Sequence, residues 1–284
     1  MCKKDPYIAI VLFFFMQGCL DSINLDLPSE EEKIVVFGWI TDLDERYEVV
    51  ISKTNAFNET EPYLTVSGAE VYVYDRNNYR FDFSEVGLTG IYLSDSRGFG
   101  IPNEKYELHI ITMEGNHIVS TQEIMKPLPR IVNTFVEFSL DPDEVDIPPE
   151  QDNWFVGGLI EDESNIDNYY RWKIFVNGEL RNNANELTLF DDKFTDGNVF
   201  RFDASNVLFL ENDEVKLLSM SMSSLAYDYY RQLKNLTGNE ITGPAFQYFP
   251  LKGNLVDTES EEEILGFFGA SAVEEVEVQG FSEN

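Results

Sequence analysis

The chain has 284 residues, 43% of them hydrophobic and 14% aromatic, and carries a formal charge of −32 from 52 acidic against 20 basic side chains. So acidic a protein repels phosphate backbones and anionic lipid alike, which disfavours nucleic acid as a partner and leaves no polybasic route onto a membrane. Its two cysteines, Cys2 and Cys19, both stand at the N-terminus, so the body of the chain forms no internal disulfide and must be held by packing.

The first element in chain order is a signal. Lys3 and Lys4 precede the apolar run 8–16, and Gln17-Gly18-Cys19 follows, the three-part layout of a secretory leader. The run falls well short of the about 20 apolar residues that span a bilayer as helix. Gly18 ahead of Cys19 resembles a bacterial lipoprotein cleavage site, which makes 1–18 a signal peptide and Cys19 the lipidated residue. Several acyl chains on one cysteine hold firmly where a single short chain does not. Residues 19–32 then read as an acidic tether, with an irregular edge segment on the first domain as the alternative.

Residues 33–41 predict a first strand, turned by Asp42-Leu43-Asp44-Glu45 into a second over 47–54, where Tyr47, Val49 and Ile51 alternate with Glu48, Val50 and Ser52. The polar stretch 55–67 contains Pro62 and reads as a loop. Strands at 69–74 and 79–83 are joined by Asp75-Arg76-Asn77-Asn78, residues that tolerate left-handed backbone. A strand at 91–93 and a hairpin of 106–112 with 117–122 around Met113-Glu114-Gly115-Asn116 complete seven. This pattern predicts an immunoglobulin-like β-sandwich over 33–125, on architecture alone, since the Cys and Trp signature of antibody domains is missing. Pro127 and Pro129 place a linker at 126–130.

The second β-rich domain, 131–284, is expected to be sandwich-like, with strands at 131–140, 154–160, 169–176, 199–202, 215–220, 264–270 and 272–278. Asn177-Gly178 marks a hairpin. One helix is predicted near 224–237, capped by Ser223 or Ser224, with Leu225, Tyr229, Leu233 and Leu236 on its apolar face and Gly238 past its end. Residues 239–263 read as a long surface loop. The whole chain is therefore expected to be all-β with one α-helix.

No catalytic residue emerges. The only histidines, His109 and His117, sit in one predicted hairpin, no cysteine or Gly-x-Ser-x-Gly elbow accompanies them, and they read as polar residues on a solvated surface. Asp191, Asp192, Asp196 and Asn198, with Gly197 at the bend, offer oxygen ligands that suit calcium, although the spacing is not that of an EF-hand and the same residues simply build loops. Tyr169, Tyr170 and Trp172 are a candidate contact for a partner or a sugar, although half of a strand with alternating exposure faces the core.

Several stretches carry a family resemblance. Val35-Val36-Phe37-Gly38-Trp39-Ile40-Thr41, Val66-Ser67-Gly68-Ala69-Glu70-Val71, Gly90-Ile91-Tyr92, Asn168-Tyr169-Tyr170-Arg171-Trp172, 191–198, Ala226-Tyr227-Asp228-Tyr229-Tyr230 and 265–273 resemble, in order, the motifs of the DUF4249 family of Bacteroidota lipoproteins. The resemblance implies an outer-membrane lipoprotein, non-enzymatic and without a cofactor beyond its lipid, encoded near TonB-dependent receptors. It is expected to act as an accessory subunit of such a SusC-like transporter or another barrel protein, anchored by lipid on the cell-surface face rather than the periplasmic one. A substrate-binding lipoprotein for a glycan, siderophore or metal, and a structural subunit of an outer-membrane assembly or secretion complex, are the alternatives.

Overall fold

The computed structural model describes residues 32–55, 64–139, 154–195, 197–237 and 251–278. Cys19, the signal and most of the tether lie outside them. The first half supplies β1 (Ile34–Thr41), β2 (Glu48–Lys53), β3 (Leu64–Thr65), β4 (Glu70–Asp75), β5 (Arg80–Glu85), β6 (Ile91–Ser94), β7 (Lys105–Ile111), β8 (His117–Ser120) and β9 (Glu123–Ile124). The second supplies β10 (Arg130–Phe138), β11 (Trp154–Glu161), β12 (Tyr169–Val176), β13 (Glu179–Arg181), β14 (Thr188–Asp191), β15 (Val199–Asp203), β16 (Val215–Met222), α1 (Ser224–Thr237), β17 (Leu255–Asp257), β18 (Glu263–Ser271) and β19 (Val273–Val276). The described residues are all-β with one α-helix and several sheets.

The largest sheet closes on itself. Strands run in the order β1-β18-β17-β8-β7-β4-β5-β6-β2, and β2 pairs back onto β1, a barrel-like ring of nine. The predicted seven strands are all present, but their hydrogen bonding continues round this ring rather than separating into the two sheets of a sandwich, because β17 and β18 fill the gap between β8 and β1. β18 lies parallel to β1, from Val35 opposite Leu265 to Thr41 opposite Ser271. Its last six residues are all buried, as expected of a strand covered on both faces. Gly266 sits at φ 102°, and a Cβ there would collide with the Val36 carbonyl, so this close approach of two backbones requires glycine.

Alternation fills the ring. Val36 and Ile40, Val49 and Ile51, Val71 and Val73, and Tyr106, Leu108 and Ile110 all point inward and are buried, each contributing about 1.5–3 kcal/mol through apolar area removed from water. A three-stranded sheet (β10-β11-β15) and a five-stranded sheet (β13-β12-β16-β19, with β14 on β12) follow. Side chains from both, among them Val156, Tyr170, Trp172, Phe190 and Leu217, share a second core.

The linear division at 126–130 does not divide the sheets. β17 and β18, expected in the second half, belong to the ring, and the chain passes directly from β18 to β19 on the five-stranded sheet. β17 also corrects the expectation of an unbroken loop over 239–263. A third core beneath α1 unites the parts: Ala226, Tyr229 and Tyr230 pack with Met222, Leu187 and Phe267, and with Trp39 of β1. Of the predicted apolar face of α1, Tyr229 and Leu233 pack in this core, whereas Leu225 is 49% exposed and Ala226 and Tyr230 are buried instead. The Tyr230 ring lies against Trp39 at 5.8 Å and receives the Arg171 guanidinium at 4.3 Å.

Candidate functional site

β14 delivers the chain into the acidic turn at 191–198. Asp191 accepts hydrogen bonds from the Lys193 N–H (3.2 Å) and the Tyr227 hydroxyl (3.1 Å). Asp192 is buried, and its Oδ2 accepts from the Asn168 N–H at 3.0 Å. Burial lifts the Asp192 carboxyl above the usual carboxylate range, with the Asn168 N–H opposing and the Asp162 charge reinforcing the shift. Asn198 takes part through its backbone, its N–H donating to the Thr195 carbonyl and its own carbonyl accepting from the Asp162 N–H. Asp196 lies outside the described residues.

The organising residue of this turn is Asp162 at the start of the β11–β12 connection. Its Oδ1 accepts from Asn168 Nδ2 (3.0 Å) and the Tyr170 hydroxyl (3.3 Å), and its Oδ2 from the Gly197 N–H (3.0 Å). The Asp191 and Asp192 carboxylates are thus engaged in building the turn. Among the described residues, no group of three or more His, Cys, Asp or Glu side chains could share a metal ion.

Tyr169, Tyr170 and Trp172 divide as strand alternation requires. Tyr170 and Trp172 are 1% and 2% exposed, packed against Phe190, and Trp172 also meets Phe202 edge-on at 5.1 Å. Neither presents a face to a partner. Tyr169 lies on the opposite side of β12, against Tyr227 at 5.0 Å.

A buried carboxyl joins the ring to the helix. Glu123 on β9 is 1% exposed; Ser223 donates to its Oε2 at 2.6 Å and Asn254 to its Oε1 at 3.2 Å. Burial pushes the Glu123 carboxyl up to about 7, against the opposing pull of those two hydrogen bonds. Ser223 is the residue that caps α1, its Oγ accepting from the Ala226 N–H at 3.0 Å. Asn254 in turn bonds both the carbonyl and the N–H of Phe268. One carboxyl therefore ties β9, β18 and the start of α1.

One open surface feature among the described residues is a groove of about 370 Å³ at one end of the ring, lined by Glu32, Lys53, Leu64, Val66, Met113 and Glu114 among others. Lys53 bridges it, 3.0 Å from Glu114 and 3.8 Å from Glu32. The neighbouring 86–90 turn is fastened alongside by Glu85, whose carboxylate accepts from the N–H groups of Gly68 and Gly90. Met113 and Leu88, on the turns at this end, are 81% and 80% exposed, and Leu64 is exposed as well. Sequence reading missed this grouping, because two separate turns and the short strand β3 contribute to it.

The chain is thus an all-β protein with a closed ring, buried carboxylates that serve as structural ties, and apolar side chains displayed on turns. Residues 21–277 match the model of DUF4249, a domain of unknown function, and the chain belongs to that family. None of the curated proteins compared with the chain matches it.

Proposed function

We propose that the chain is a lipid-anchored outer-membrane protein, held through Cys19, that works without catalysis as an accessory subunit of a TonB-dependent, SusC-like channel. The observation that carries this reading is the exposure of Leu64 and Met113 at the groove, with Leu88 exposed on the neighbouring 86–90 turn. Apolar side chains grouped at the surface mark contact with protein or membrane. The polar clusters support the same reading, since Asp162, Asp192 and Glu123 are spent on internal hydrogen bonds. A substrate-binding lipoprotein is the second reading, favoured by the groove and the Lys53 charge within it. The test is purification of the tagged full chain from solubilised membranes. Recovery of an outer-membrane barrel protein with wild type, and release of a Cys19→Ala variant from the membrane fraction in cells lacking that barrel, is the expected result. Failure to recover any barrel protein would refute the accessory role.

A further inference from the structure

We propose that His109 and His117 together form a binding site for a divalent transition-metal ion of the zinc and copper class. These are the only two histidines in 284 residues, and the fold brings them into contact. β7 and β8 pair with His109 opposite Val119 and Ile111 opposite His117, so both histidines stand diagonally on the outer face of the ring. Their ring centroids are 5.8 Å apart. With metal–nitrogen bonds of about 2.0–2.1 Å, two imidazoles on one tetrahedral ion bring their centroids to roughly 5 Å, within about 1 Å of the separation seen here.

The nitrogens point to the same chemistry. His109 Nδ1 and His117 Nε2 are both buried and have no hydrogen-bond partner, a costly condition for groups that bond so readily. On the other side of its ring, His109 Nε2 lies 2.8 Å from Glu107 Oε1. An ionised carboxylate only accepts, so in the neutral imidazole this contact keeps the proton on Nε2 and leaves Nδ1 as the lone-pair nitrogen. A carboxylate behind an imidazole is the arrangement that orients metal-binding histidines. The His109 ring is fixed further by Tyr72, stacked on it at 5.2 Å with planes 5° apart, and by Tyr74 edge-on at 5.1 Å. Imidazole nitrogen selects zinc, copper or nickel over calcium, and the formal charge of −32 attracts any cation.

The test is titration of the chelator-stripped full chain with Zn²⁺ and Cu²⁺ by calorimetry, with electron paramagnetic resonance of the Cu²⁺ form. One ion per chain is expected, with nitrogen couplings from two imidazoles in the copper spectrum. His109→Gln and His117→Gln should each weaken binding at least tenfold, and Glu107→Gln should weaken it about tenfold while keeping both nitrogen couplings. Oxygen-only coordination in the wild-type spectrum, absence of binding, or affinity unchanged in His117→Gln would overturn the proposal. The spectrum of the wild type decides the matter even if a variant does not fold.

Discussion

Replacing Glu123 by Gln should change the pH dependence of folding more than the folding itself. The carboxyl has an ordinary value of 4.5 and is pushed up to about 7 in the folded protein. Below the ordinary value it is protonated in both states and costs nothing. Between about 4.5 and 7 the unfolded chain ionises first, so stability falls as pH rises, and above about 7 the folded state bears the full cost of a buried carboxylate. At about 1.4 kcal/mol for each pH unit, the displacement corresponds to about 3 kcal/mol. Gln cannot ionise, so Glu123→Gln should gain on wild type by about 3 kcal/mol between pH 4.5 and pH 8. The amide oxygen still accepts from Asn254 Nδ2 while its NH2 turns to Ser223 Oγ, which shifts the curve by a constant and leaves the slope of the difference untouched. Urea unfolding followed by tryptophan fluorescence at pH 5, 6, 7 and 8 measures the difference directly, and subtraction of the two proteins removes the contribution of the other acidic residues. Parallel curves for variant and wild type over this range would refute the reasoning.

Ser223→Ala removes the cap of α1 and one of two partners of Glu123, and should cost about 1–2 kcal/mol in urea unfolding. Trp172→Ala opens a cavity between Phe190 and Phe202 and should lower stability by about 3–5 kcal/mol, with a matching fall in melting temperature. Asp162→Ala leaves the Tyr170 hydroxyl and the Gly197 N–H without their acceptor, with Asn168 Nδ2 keeping the Ile166 carbonyl, and should cost about 1–3 kcal/mol, with faster amide exchange confined to the 191–198 turn.

What the sequence made legible follows from how local each signal is. The alternation over 47–54 names the buried face of β2 because one side faces the ring interior and the other does not. The Asn177-Gly178 pair similarly fixes the β12–β13 hairpin, with φ of 52° and 81° at those positions. β18 was legible as a strand, but its parallel partner lies far back in the chain, and a parallel pairing leaves no turn to announce it. That gap is why a ring of nine read as a sandwich of seven. β17 is only three residues long and stands among turn-forming residues, so no period could reveal it. The acidic turn was found as a sequence run, yet its controlling residue, Asp162, arrives from another strand. The histidine contact is different: the register of the β7–β8 hairpin follows from its turn, and it places both rings on one face.

The docking of the Leu88 end on a channel is the central claim, and photo-crosslinking in the membrane tests it most directly. A photoreactive residue at position 88 or 113 should give one adduct with an outer-membrane barrel protein. The same group at position 43, exposed at the opposite end of the β1–β2 hairpin, should give none. Adducts from position 43 alone, or none from any position in a chain that remains folded and membrane-bound, would contradict the account.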